Sequence, residues 1–272
     1  MAEVRDTRVC IAGLGAIGQV IARELDQGRI PGLRLGAVSG RDKAKTTAFV
    51  STLKQSVSMV ELHELSDHGD IIVECAPAAL LSQIAEPALA RQKKLIVLSV
   101  GALLSNPHLR QAALDGGSAI LVPTGALLGL DAVLAAAEGK IHSVRMITRK
   151  PPKGLLGAPF LIDNNISVDN LTEPLKVFSG TAREAAKGFP ANLNVAVALS
   201  LAGIGPDLTV LEIWADPSVT RNTHRIEVDS DSARLSMTIE NIPSENPKTG
   251  VITARSVIAL LRKMSAPLRI GT

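Results

Sequence analysis

The chain of 272 residues is poor in aromatic side chains, with no tyrosine, one tryptophan and four phenylalanines. Proteins that bind single-stranded nucleic acid usually stack the bases on aromatic side chains in a basic groove. The net charge of +3 comes from 29 basic and 26 acidic residues, which are spread along the chain without runs of one sign. We therefore expect no nucleic-acid partner, and the mildly basic balance suits small anionic ligands.

Cysteines and long apolar segments are also scarce. The two cysteines, Cys10 and Cys75, form neither a disulfide framework nor a metal-binding spacing, so we expect no metal site. Residues 1–8 are polar and lack the apolar segment of a signal peptide. The most apolar stretches, such as residues 195–204, are shorter than the roughly 20 residues that span a bilayer. We expect a cytoplasmic protein without a membrane partner.

The strongest positive signal is a glycine motif near the N-terminus. Apolar residues 9–12 read as a buried strand, Gly13-x-Gly15-x-x-Gly18 follows directly, and a helical pattern comes next. In this context the first glycine permits a tight turn, the second admits a pyrophosphate and the third allows close helix packing. The helix N-terminus adds free N–H groups and a positive dipole end. The motif predicts a dinucleotide site at Gly13, Gly15, Ala16, Ile17 and Gly18.

Alternating strand and helix signals predict a Rossmann domain, a doubly wound parallel sheet, over residues 1–125. The predicted strands are 8–12, 33–38, 70–75, 95–99 and 119–122, and the helices are 16–27, 44–53, 77–92 and 107–116. Residues 126–245 favour a second, α+β domain with a mostly antiparallel sheet, because their strands show one polar face. Its predicted strands are 140–150, 209–215, 224–228 and 234–240, and its helices are 131–138, 181–187 and 192–203.

A last predicted helix, residues 246–264, has Asn246 at its N-cap and Pro247 at its first position. We expect it to pack back on the first domain.

The end of the second strand bears on the choice of cofactor. An acidic residue there normally holds the ribose of NAD, but the strand ends at Ser39, Gly40 and Arg41, and Asp42 lies one step further on. A small polar residue beside a guanidinium can accept a 2′-phosphate and need not exclude a hydroxyl. We predict NADP binding at Ser39 and Arg41 with NAD tolerated. The alternative interpretation of Arg41 is a solvated loop cation.

Two segments offer polar side chains for chemistry. Strand alternation places His224 on one face with Ile226 and Val228, so the pattern alone fits either a core histidine or a catalytic one. Asn192 and Asn194 fall at the start of an apolar helix, where asparagine either caps the helix or contacts a nicotinamide or a substrate.

Segments along nearly the whole chain together resemble L-aspartate dehydrogenases. The Asn-x-His and Pro-Ser-Glu-Asn-Pro-Lys-Thr segments are more specific than the glycine motif, which many enzymes share. The matching segments are the glycine motif, residues 74–77, 123–131, 150–153, 157–159, 189–195, 222–224 and 243–249.

The resemblance implies a Rossmann domain followed by an α+β domain that usually forms a dimer interface, and hence a homodimer. It implies oxidative deamination of L-aspartate to oxaloacetate and ammonia through iminoaspartate, with NAD or NADP as cofactor, and in some members a link to NAD biosynthesis. By motif match His224 corresponds to the active-site histidine, for which we expect a general acid/base role. Ala126 and Asn194 correspond to cofactor contacts, and we expect Ala76 and Pro77 to line the cofactor as well.

Aspartate carries two carboxylates, so its site needs cationic or dipolar partners. The candidate cations are Lys150, Lys153, Arg221 and Lys248. Two other functions stay open. One is a related two-domain oxidoreductase that resembles dihydrodipicolinate reductase or homoserine dehydrogenase, since substrate choice in such folds depends on a few side chains. The other is a non-catalytic redox sensor that binds NADP.

Overall fold

A computed structural model describes residues 6–190, 193–244 and 250–271 of the chain. Its internal contacts divide the chain into two compact units. The first unit contains the chain up to Pro123 together with Ala254–Ile270, and the second contains Thr124–Thr253 with the last two residues.

The first unit is built on a six-stranded sheet. Its strands are β1 (Thr7–Ala12), β2 (Leu33–Ser39), β3 (Ser58–Met59), β4 (Ile71–Glu74), β5 (Lys94–Val97) and β6 (Ile120–Leu121). All pairs are parallel and the order is β3-β2-β1-β4-β5-β6. The strand order reverses between β1 and β4, the place where doubly wound sheets bind ligands at the carboxyl ends of their strands.

Helices connect these parallel strands. They are α1 (Ala16–Asp26), α2 (Lys43–Val50), α3 (Leu65–His68), α4 (Leu81–Ala90), α5 (Val100–Leu103) and α6 (His108–Asp115), with short 3-10 turns at Leu62–Glu64 and Ala78–Leu80. Strands β1 and β4 are buried on both faces, as expected for a parallel sheet covered by helices. The predicted helix at 77–92 is shorter than expected because the chain makes a 3-10 turn before α4.

In its described residues the second unit contains a five-stranded sheet and four helices. The helices are α7 (Leu130–Ala137), α8 (Pro159–Asp163), α9 (Ala182–Gly188) and α10 (Asn194–Ala202), with a 3-10 turn at Pro152–Gly154. The strands are β7 (Ile141–Lys150), β8 (Leu175–Thr181), β9 (Val210–Ala215), β10 (Asn222–Ser230) and β11 (Arg234–Asn241). Their order is β11-β10-β7-β9-β8, and only β7 and β9 pair in parallel. The predicted fold class is confirmed.

One face of this sheet, which we call the inner face, is buried. Along β7 the residues Val144, Met146, Thr148 and Lys150 are buried while their neighbours are more exposed, so the alternation predicted for this strand is confirmed. A methyl group on Gly203, just after α10, would lie 3.3 Å from Val144 and 3.5 Å from Val133 of α7. Helices α7 and α10 therefore pack together against the Val144 end of the inner face.

Three of the four phenylalanines form one cluster beside β8. The ring centroids of Phe160, Phe178 and Phe189 lie 5.2 to 5.7 Å apart, in edge-to-face and stacked pairs. Such pairs add about 0.5–1.5 kcal/mol each beyond their buried area. The cluster ties α8 and the end of α9 to the edge strand.

Two elements differ from the sequence predictions. Strand β8 was not predicted, because only Val177 and Phe178 are buried in it and a register shift between Lys176 and Phe178 breaks the alternation. The last helix, α11 (Val251–Ser265), begins later than residue 246, since Gly250 forms a β-bridge with Pro243. The predicted cap at Asn246 and Pro247 lies outside the described residues. From Ala254 the helix belongs to the first unit, where Val257 and Leu261 enter the core.

Candidate active site

The glycine turn joins the carboxyl ends of three neighbouring strands. Gly13 has φ +101°, and its N–H donates to the carbonyl of Ser39 at 2.8 Å. The N–H of Cys75 donates to the carbonyl of Ala12 at 2.8 Å, and a methyl group on Gly13 would lie 2.6 Å from the Cys75 carbonyl oxygen. The close approach and the positive φ both require glycine at position 13.

The other two glycines play different parts in this turn. A methyl group on Gly18 would collide with the carbonyl of Gly13, so this glycine allows α1 to pack against the turn. A methyl group on Gly15 would meet nothing within 4 Å, so the backbone there is open to a ligand. Helix α1 begins at Ala16, continues through Ile17 and has no acidic residue in its first turn. Its positive end therefore suits a pyrophosphate, and the turn fits the predicted dinucleotide.

The end of β2 offers no free carboxylate to a ribose. Ser39 is buried at the strand end and Arg41 is exposed. Asp42 is the N-cap of α2, where its carboxylate accepts the N–H of Lys45 at 3.1 Å. This hydrogen bond lowers the pKa of Asp42, and the ammonium of Lys45 acts in the same direction. Because Asp42 caps a helix, the strand end fits NADP as well as NAD.

Ala76 and Pro77 follow β4 and lie beside a buried carboxylate that sequence reasoning missed. Glu74 is fully buried, and its carboxylate accepts the N–H of Ser99 at 2.8 Å, the hydroxyl of Ser99 at 2.9 Å and the N–H of Leu98 at 3.1 Å. Burial raises the pKa of Glu74, although these hydrogen bonds oppose the shift. Glu74 thus ties the carboxyl ends of β4 and β5 together next to Ala76 and Pro77.

His224 lies on the inner face of the second unit. It is 3% exposed, and its Nδ1 is 3.1 Å from the hydroxyl oxygen of Thr148, its register partner on β7. Burial, together with a smaller effect of the nearby charge of Lys150, lowers the pKa of His224 from 6.5 to about 3. The imidazole is therefore neutral at physiological pH, and Thr148 fixes its ring orientation through Nδ1.

Of the candidate cations, the structure brings Lys150 together with His224. Lys150 follows Thr148 by two residues on the same face, which makes it a diagonal neighbour of His224 across the strand pair. It is 5% exposed, and burial lowers the pKa of its ammonium from 10.5 to about 8. Lys153 and Arg221 are exposed, and Lys248 lies outside the described residues.

The outer face of the same sheet holds a separate set of charges. Arg149, next to Lys150, points to this face, donates to the carboxylate of Asp216 at 2.8 Å and lies 4.9 Å from the ring centre of Trp214. Strand alternation therefore places Arg149 and Lys150, which are adjacent in sequence, on opposite faces of the sheet. Arg149 forms an ion pair with Asp216.

Two predicted cofactor contacts lie elsewhere in the second unit. Asn194 is exposed and is the first residue of α10. The N-cap position of this helix is occupied by Leu193, which makes no side-chain capping hydrogen bond, so Asn194 is not the N-cap. Asn192 lies outside the described residues. Ala126 lies in the turn before α7, and its carbonyl accepts the amide N–H of Asn241 at 3.0 Å. Sequence reasoning singled out neither Asn241 nor Thr148, because their roles depend on strand register.

Within residues 6–190, 193–244 and 250–271, no group of three or more His, Cys, Asp or Glu side chains is arranged to hold a metal ion. No helix in the same part of the chain is both long and apolar enough to cross a bilayer.

Known proteins match both units of the chain. Residues 13–123 match the family described as homoserine dehydrogenase, NAD binding domain, and residues 131–264 match aspartate dehydrogenase, C-terminal. The chain is 64% identical over 272 residues to L-aspartate dehydrogenase 3 of Bordetella bronchiseptica, with all of both chains covered. It is 44% identical over 269 residues to the L-aspartate dehydrogenase of Methanocella arvoryzae, covering 97% of this chain and 99% of the relative.

A solved structure shares the fold. The crystal structure of aspartate dehydrogenase from Thermotoga maritima matches with a TM-score of 0.75 at 23% identity, covering 97% of this chain and 99% of that one. The predicted use of NAD or NADP and the predicted dehydrogenase class are confirmed by these matches. Full-length similarity of this degree shows that the chain belongs to the L-aspartate dehydrogenase family.

Proposed function

We propose that the protein catalyses the NAD(P)-dependent oxidative deamination of L-aspartate to oxaloacetate and ammonia through iminoaspartate. The observation that carries this proposal is the buried His224, oriented by Thr148 and accompanied by the buried Lys150 on one face of the second unit. The two full-length relatives described above are named as L-aspartate dehydrogenases, which supports the choice of substrate.

The cofactor supplies the acceptor for the hydride that leaves the α-carbon of aspartate. The amine of aspartate must lose a proton for the C=N bond of iminoaspartate to form, and water must then add to that bond before ammonia leaves. An imidazole can accept a proton at one step and return it at the next. The ring of His224 is neutral before substrate binds, and the negative charges of bound L-aspartate would raise its pKa towards the working pH. We assign general acid/base catalysis to His224, with Thr148 as its positioning residue.

We assign a substrate carboxylate to Lys150. Because burial lowers the pKa of its ammonium to about 8, a neighbouring carboxylate would raise that pKa and stabilise the charged form. Charge-assisted hydrogen bonds of this kind contribute about 1.5–3 kcal/mol. Lys153 and Arg221 are exposed and contribute less to binding in this account.

We assign the dinucleotide to the glycine turn and its neighbours. The open backbone at Gly15 and the N-terminus of α1 suit the pyrophosphate, and the end of β2 suits either ribose form. The residues assigned to the cofactor are Gly13, Gly15, Ala16, Ile17, Gly18, Ser39, Arg41, Ala76, Pro77, Ala126 and Asn194.

The family resemblance also supports a homodimer formed through the second unit, a cytoplasmic location and the use of iminoaspartate in NAD biosynthesis. Light scattering coupled to size-exclusion chromatography tests the first of these, with a mass of twice 28.5 kDa as the expected result.

The reaction itself is tested with purified protein, NAD or NADP, and a panel of L-amino acids at alkaline pH. We expect the near-ultraviolet absorbance of the reduced nicotinamide to rise with L-aspartate and not with the other amino acids. Cofactor binding without turnover of any amino acid would overturn the proposal and favour a redox sensor. Turnover of a different substrate would favour another two-domain oxidoreductase.

A further inference from the structure

Asn241 stands at the same end of the inner face as His224 and Lys150. It is the last residue of β11, it is 4% exposed, and its register partner on β10 is Asn222. His224 follows Asn222 by two residues, so it is the diagonal neighbour of Asn241 on one side and of Lys150 on the other. Diagonal neighbours of this kind lie roughly 7–8 Å apart, and Asn222 lies directly between Asn241 and Lys150 on the central strand.

The amide of Asn241 has a hydrogen-bond partner at its nitrogen but not at its oxygen within the described residues. Its Nδ2 donates to the carbonyl of Ala126 at 3.0 Å, which fixes the orientation of the amide. Its Oδ1 is buried and accepts no hydrogen bond anywhere in the part of the chain that the structure describes. A buried acceptor without a donor destabilises a fold, so a retained one calls for an explanation such as a ligand.

We propose that Oδ1 of Asn241 binds the amino group of the amino-acid substrate. The inference rests on the proposed function and deepens it. L-Aspartate offers only acceptors at its two carboxylates and N–H donors at its amine, so the amine is the only part of the substrate that satisfies Oδ1. Lys150 has the complementary chemistry, because an ammonium donates and does not accept. Asn241 and Lys150 therefore bind the substrate at its amine and at a carboxylate, and His224 lies diagonal to both on the strand between theirs.

This arrangement gives Asn241 a role in specificity. A 2-hydroxy acid of the same shape also offers a donor, but it has one hydrogen where the neutral amine has two. A dicarboxylate that lacks the amine, such as succinate, has no hydrogen-bond donor for Oδ1 of Asn241. Binding of succinate to the enzyme–cofactor complex should therefore not depend on Asn241, whereas binding of L-aspartate should.

The test compares Asn241→Ala with the wild-type protein and with Thr238→Ala, an exposed position on the same strand. We expect the KM for L-aspartate to rise about tenfold in Asn241→Ala, the effect of one lost hydrogen bond. In the reverse direction the KM for ammonium should rise by a similar factor. The inhibition constant of succinate and the Kd of the reduced cofactor should stay within about twofold, and Thr238→Ala should match the wild type.

Each other outcome overturns the inference in an identifiable way. Equal weakening of succinate and L-aspartate would show that Asn241 only positions the Ala126 turn. A weaker Kd of the cofactor would assign Oδ1 to the carboxamide of the nicotinamide instead. An unchanged KM for L-aspartate would remove Asn241 from the site. If Asn241→Ala does not fold, Asn241→Ser provides the same comparison. No turnover of L-aspartate by the wild type would instead refute the proposed function.

Discussion

Replacing Lys150 with methionine should stabilise the second unit at neutral pH and weaken the binding of L-aspartate. Burial lowers the pKa of Lys150 from 10.5 to about 8. At about 1.4 kcal/mol per pKa unit, the buried ammonium costs the folded state roughly 3 kcal/mol at pH 7. Methionine has a similar volume and no charge. The polar interaction that Lys150 makes is lost as well, so we expect a net gain of about 1–3 kcal/mol.

The pH dependence of this gain has a defined sign. The folded pKa of Lys150 lies below the unfolded one, so between about pH 8 and 10.5 the unfolded chain holds the extra proton. The stability of the wild-type protein should therefore rise relative to the variant across this window. The stabilisation by Lys150→Met should be full below about pH 8 and should disappear near pH 10.5.

The measurement is urea denaturation followed through Trp214, the only tryptophan of the chain, which pairs with Arg149 next to Lys150. Lys140→Met, an exposed position just before the same strand, is the control and should change stability by less than about 0.5 kcal/mol. The KM for L-aspartate should rise about 10- to 100-fold in Lys150→Met. A variant less stable than the wild type at pH 7, or one with an unchanged KM, would refute the reasoning.

Three further predictions concern His224, Thr148 and Arg41. Because burial lowers the pKa of His224 from 6.5 to about 3, wild-type stability should fall as the pH drops from 6.5 towards 3, and acid titration of His224→Gln should lack that component. Thr148→Val should lower kcat about tenfold with a smaller change in KM, because it removes the hydrogen bond that orients the imidazole of His224 and leaves Lys150 in place. Steady-state kinetics measures both constants, and equal effects on kcat and KM would contradict the prediction. Arg41→Ala should weaken NADP about tenfold more than NAD, as measured by fluorescence titration, whereas an unchanged ratio would make Arg41 a solvated loop cation.

Local patterns in the sequence were sufficient to predict much of the fold. The glycine motif predicted the turn after β1, because each glycine meets a steric demand set within a few residues. Strand alternation correctly placed His224 with Ile226 and Val228 on the buried face of β10. The edge strand β8 was not predicted because its bulge between Lys176 and Phe178 interrupts the alternation of buried and exposed residues by which strands are predicted.

The candidate site depended more on long-range register than on motifs. Thr148 meets His224 across 76 positions of sequence, and Asn241 meets the carbonyl of Ala126 across 115. No local pattern carries such pairings, since they follow from which strands lie side by side. Lys150 is preferred to Lys153 and Arg221 as the substrate-binding cation because it is buried and they are exposed. The sequence alone does not give these burials, since they depend on where each strand ends.

The most direct test of the account measures nicotinamide reduction and ammonia release together, with L-aspartate, in the wild-type protein and in His224→Gln. We predict equal amounts of reduced cofactor and ammonia from the wild type. The variant should bind the cofactor normally and react at least about 100-fold more slowly, because it lacks the general acid/base that we assign to His224. Cofactor reduction without ammonia, or a folded variant that reacts at the wild-type rate, would contradict the account.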